Sequence, residues 1–187
     1  CYETNRNIRL PACRLTGVYQ GQKNHMHNVS YLLDREVRVP ACVFGKQPEE
    51  GAVLLFTMDA LPAPGEELIF YITVADRHNR NPFGEKADST FARIRWECYT
   101  AQGFVKMHVR DDTGGLLVSG ERRMRLPDAE ALPCEDAPRG AYAIRGVLEK
   151  ADYDVRPKLV QIDGFLFEVW QKETLSACYT FNKVSSA

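Results

Sequence analysis

The chain predicts an all-β fold, an antiparallel sandwich or barrel with meander hairpins and little helix. Three observations carry that reading. Apolar residues recur with a period of two, the β-type runs are separated by Gly- and Pro-containing turns, and no helix-period window exceeds two turns.

The first runs, RLTGVYQG, HMHNVSYLL and EVRVPACVFG, are short and rich in Val, Tyr and Leu, which suit a pleated, half-buried surface. AVLLFTM and EELIFYITVAD are more continuously apolar, as expected of central strands covered on both faces. DALPAPGE lies between them, and its two prolines and glycine force a turn. Residues 76–90, DRHNRNPFGEKADST, read as a long polar loop of the kind that often carries function.

In TFARIRWECYT, Ala92, Ile94, Trp96 and Cys98 fall on one side, and Arg93, Arg95 and Glu97 on the other. After a short Gly turn, AQGFVKMHVRDD sets Val105, Met107 and Val109 inward, with Lys106, His108 and Arg110 outward. DDTGG turns the chain again. LLVSGERRMRLP then makes a third strand with Leu116, Val118, Met124 and Leu126 on one face, which completes an antiparallel meander. Residues 127–140 are an acidic, Pro-bracketed connector and the one candidate sub-boundary in a β-rich domain spanning 12–187. In KLVQIDGFLFEVWQ, Asp163-Gly164 separates two apolar runs, a hairpin signal, and ACYTFNKV supplies a final strand. The total is about nine to eleven strands.

Composition narrows the function classes. Apolar residues are 44% and charged residues 26%, ordinary for a globular domain. Lys+Arg 24 against Asp+Glu 25 argues against a nucleic-acid binder working through bulk charge. No apolar run reaches the roughly 18 residues of a membrane-spanning helix. No cofactor motif is present, and no serine sits in a GxSxG elbow.

Six cysteines, Cys1, Cys13, Cys42, Cys98, Cys134 and Cys178, are scattered without a CxxC pair. Such spacing suits disulfides between distant strands in an oxidising compartment better than zinc, although buried free thiols are the alternative. Their connectivity stays open.

Three groups of residues are candidates for a site. His25 and His27, in HMH, project from one face of a strand and could share a metal, but no third ligand follows at local spacing. The default for them is an exposed edge strand. The alternative is a β-barrel enzyme or small-ligand protein with both histidines near its mouth. Arg93 and Arg95, with Arg123 and Arg125 of ERRMR, could form an electropositive stripe, unless Glu97 and Glu121 balance them. Tyr99 and Phe104 flank the turn at residues 101–103, where a hairpin tip could bind a protein partner. Asn28-Val29-Ser30 is a glycosylation sequon, which would matter in a eukaryotic secreted recognition protein.

Mature bacterial lipoproteins begin at a lipid-bearing cysteine followed by a polar tether, and CYETNRN looks like such a start, with residues 1–11 as the expected tether. This start, followed by short β runs, resembles periplasmic lipoproteins of the small immunity kind, which neutralise toxins delivered by type VI secretion. The resemblance implies a lipid on Cys1, a periplasmic location and a stoichiometric inhibitor of a protein partner. It implies no nucleic acid, and membrane contact only through the lipid. The partner would be met by the 76–90 loop, through Arg77, His78 and Arg80, and by the arginine stripe. If Cys1 instead pairs with another cysteine, such as Cys13, the protein is freely secreted.

Overall fold

The period-two pattern is realised as two antiparallel sheets. A computed structural model describes residues 13–22, 25–75, 92–135, 137–153 and 155–164. Its strands are β1 (Leu15–Gln22), β2 (His25–Asn28), β3 (Ala41–Cys42), β4 (Val53–Met58), β5 (Glu67–Val74) and β6 (Ala92–Thr100). They continue with β7 (Gly103–Lys106), β8 (His108–Asp111), β9 (Gly120–Arg125), β10 (Tyr142–Ala151) and β11 (Lys158–Gly164). A six-stranded sheet has the order β2-β1-β4-β10-β6-β7, and a five-stranded sheet the order β3-β11-β5-β9-β8. Both keep open edges, so the fold is a sandwich and not a closed barrel. Helix among the described residues is limited to 3-10 turns at Ser30–Leu33 and Pro138–Gly140.

The core lies between the sheets. Leu54, Phe56 and Met58 of β4 alternate inward, as do Leu68, Phe70 and Ile72 of β5, and all six are fully buried. The Phe56 ring joins the layers, with its centroid 5.5 Å from Phe70 and 5.4 Å from Trp96.

Several expected strands are shorter or differently placed. HMHNVSYLL leaves the strand after Asn28, because Asn28 Oδ1 accepts from the Ser30 amide and Ser30 Oγ accepts from the Val18 amide. Those bonds favour a turn over further ladder. EVRVPACVFG contributes only Ala41–Cys42, beside a proline that cannot donate to a ladder. AQGFVKMHVRDD is two strands, since the buried Met107 marks where the chain leaves β6 for the other sheet. The expected single meander is therefore a hairpin in each sheet.

LLVSGERRMRLP starts its strand only at Gly120. Leu116 is buried in a left-handed turn conformation (φ +73°), and Val118 is 42% exposed and does not share the inward face expected for it. Asp163-Gly164 is not a turn. Both residues sit within β11, opposite Tyr71 and Phe70, because β5 offers each a ladder partner. Where Gly164 stands, a Cβ would come 2.7 Å from Leu15 Cδ1, so this glycine serves close packing.

The connector after β9 packs against the outer face of the six-stranded sheet. Ala131 bridges Thr100, Pro133 bridges Tyr142, and Cys134 and Ala137 bury themselves against Ala143.

The stapling expected of the cysteines is corrected for three of them: Cys13, Cys42 and Cys98 are free thiols. Cys98 lies inside β6 opposite Ile144 and Val105, and Cys42 lies on the edge strand of the other sheet opposite Lys158. No strand pairing brings two of these three together. Cys134 is buried where the connector packs on Ala143, and Cys1 and Cys178 lie outside the described residues.

Candidate recognition face

Residues directly opposite in antiparallel strands share a face, so the registers of the six-stranded sheet define its outer surface row by row. One row crosses all six strands: Asn28, Tyr19, Leu55, Arg145, Glu97 and Lys106. The next holds Met26, Gly21, Val53, Val147 and Arg95. Tyr19, Leu55, Val53, Val147, Arg145 and Arg95 are all half-buried. Aliphatic, aromatic and arginine side chains thus share one sheet surface.

Its charges are held in a fixed network. Glu97, with only 9% of its side chain exposed, accepts from Arg145 Nε at 2.7 Å and pairs with Arg95 at 2.8 Å. Glu149 pairs with Arg93 at 3.0 Å and with Arg95 at 3.3 Å. The Arg145 guanidinium also lies 3.7 Å from the centre of the Phe104 ring, and Phe104 meets Tyr99 edge to face at 5.1 Å. Arg93 is 69% exposed, where an ion pair contributes little to stability. Glu97 is different, because it orders two arginines at a nearly dry position. Arg93, Arg95, Arg145 and Lys106 share this face with Glu97 and Glu149, and the acidic connector packs against the same face.

The sequence-predicted residues divide between the two sheets. Arg93, Arg95, Tyr99 and Phe104 converge here, with Tyr99 and Phe104 packed against the Cys134 and Ala137 end of the connector. Arg123 and Arg125 belong to β9 in the other sheet, so the four arginines make no single stripe. Arg123 pairs with Glu121, and Arg125 stands opposite Glu67 and His108. His25 and His27 are exposed on the β2 edge, and no group of three His, Cys, Asp or Glu suited to a metal gathers among the described residues. Arg77, His78 and Arg80 lie outside the described residues.

Arg145, Glu149 and Val147 of β10 and Leu55 of β4 were missed, because only long-range pairing places them on the same face as the β6 residues. Arg122 was missed too, although its spacing from Met124 marks it as inward. It is fully buried, pairs with Asp111 at 2.6 Å, donates to Thr113 Oγ1 at 2.8 Å and lies 4.8 Å over the Trp96 ring.

Burial raises the thiol of Cys98 to about 12. Burial, and secondarily Asp59, raises that of Cys13 to about 11. Neither is a thiolate nucleophile near neutral pH. No protein-family model matches the chain, and no curated protein is similar enough to count as a relative.

Proposed function

We propose that the protein is a binding module that covers a protein partner, of the toxin-immunity or inhibitor kind, with the outer face of its six-stranded sheet. One observation supports this most: half-buried Tyr19, Val53 and Val147 lie beside a Glu97-centred arginine network that is already ordered. Arginine and aromatic side chains dominate binding energy at protein interfaces, and preordered side chains lose less entropy on association. Arg93, 69% exposed, offers a cation to a partner carboxylate at the rim, a contact that added salt would weaken.

The test is capture from a periplasmic extract, comparing the wild type with Val147→Arg. This change acts on the outer face opposite Arg95, and near-ultraviolet circular dichroism establishes that the variant is folded. The expected result is a partner retained by the wild type, lost from Val147→Arg and weakened by added salt. Equal retention by both proteins would remove this face from the interaction, and no partner at all would remove the reading.

A further inference from the structure

A cleft of about 640 Å³ opens where the start of β1, the Ser30–Arg35 turn and the end of β11 meet. Its size lies within the roughly 300–1,000 Å³ of small-ligand sites. The cleft is separate from the recognition face and takes residues from both sheets.

Its chemistry is two-sided. Leu15, Leu33 and Ile162 supply an apolar floor at the margin of the core, with Gly164 closing against Leu15. Four charges ring it: Arg14, Asp34, Arg35 and Asp163. Arg35 pairs with Asp163 at 3.1 Å and so ties the turn to β11. Asp34 Oδ1 accepts from the Glu36 amide at 2.9 Å. Arg14 uses its backbone amide on Asp59, while its guanidinium makes no ion pair with any described residue. Arg14 and Asp34 therefore remain without an ion-pair partner among the described residues, next to the apolar floor.

We propose that this cleft binds a single-chain amphiphilic carboxylate, with its head on Arg14 and its tail on Leu15, Leu33 and Ile162. A guanidinium receives a carboxylate through two parallel N–H donors. A phosphate monoester fits less well. It carries about −1.5 to −2 charges at neutral pH, and the excess would face Asp34 and Asp163. A neutral amphiphile would fill the floor and leave Arg14 unanswered.

The test is calorimetric titration of the full chain with decanoate, decyl phosphate and decanol. Two variants accompany it: Arg14→Gln removes the charge, and Leu33→Trp fills the floor. Near-ultraviolet circular dichroism establishes that each is folded. The expected result is one decanoate per chain, bound at least about tenfold more tightly than decanol or decyl phosphate. Arg14→Gln should erase the preference over decanol, and Leu33→Trp should block all three ligands. No decanoate binding by the folded wild type, tighter binding of decyl phosphate, or an unchanged preference in Arg14→Gln would each overturn the proposal. Binding that survives in Leu33→Trp would place the ligand elsewhere and overturn it as well. None of these outcomes bears on capture of a protein partner, so the two readings fail separately.

Discussion

The Asp111 carboxylate lies 2.6 Å from the guanidinium of Arg122, a side chain with no solvent exposure. Asp111 also accepts from the Thr113 amide at 2.8 Å, the Thr113 hydroxyl at 2.5 Å and the Gly115 amide at 3.0 Å. Those bonds wrap the β8–β9 turn around the carboxylate. The glycines of DDTGG allow this, since Gly114 and Gly115 both have positive φ. Tyr153 seals the arrangement by donating to the Gly115 carbonyl at 2.8 Å. A charge buried in the sandwich is thereby answered from its rim.

Removing the carboxylate alone should be costly. Asp111→Ala leaves a buried guanidinium without its counter-charge, and the expected loss is about 3–5 kcal/mol. Arg122→Met in the same chain removes the stranded charge and should restore much of that loss. Urea unfolding of the two single variants and the double variant measures the coupling. Simple addition of the two single effects would mean that the pair does not act as a unit.

Acid should weaken the same contact. Burial by itself raises the Asp111 pKa, but the charge and hydrogen bond of Arg122 and the two bonds from Thr113 outweigh it and hold the value below 3.8. A lowered folded-state pKa contributes stability above the unfolded value and loses it as pH falls through the folded value. The wild type should therefore lose stability on acidification below about 3.8, and Asp111→Asn should lack this component. Unfolding midpoints across that range check it, and identical acid profiles for the two proteins would contradict it.

Cys98 should resist alkylation at neutral pH in the folded protein and react fully once unfolded, because burial keeps its thiol protonated. Mass spectrometry after brief iodoacetamide treatment, with and without denaturant, reads this directly. A Cys98 that never reacts without a reductant would show that it is held in a disulfide, and rapid native labelling would show that it is not buried.

The alternation in TFARIRWECYT and EELIFYITVAD was enough to predict an antiparallel all-β fold, because side-chain direction along a strand is a local property. The sandwich, in place of a barrel, depended on which edges close, and closure is a property of the whole sheet. Met107 shows the same limit: alternation runs through it unbroken, yet the chain changes sheets there. Asp163-Gly164 carried a genuine turn signal, but β5 supplied ladder partners that outweighed it.

The candidate site divides along the same line. Arg93, Arg95, Tyr99 and Phe104 could be assigned to a common side of neighbouring strands from local spacing. Only pairing across β10 brought Arg145 and Glu149 to them, and only sheet membership separated Arg123 and Arg125 from them. The sequence by itself determined which residues face together along each strand. The tertiary structure decided which strands lie side by side, and hence which charges meet, because long-range pairing is chosen by the burial of the whole core and not by any one segment.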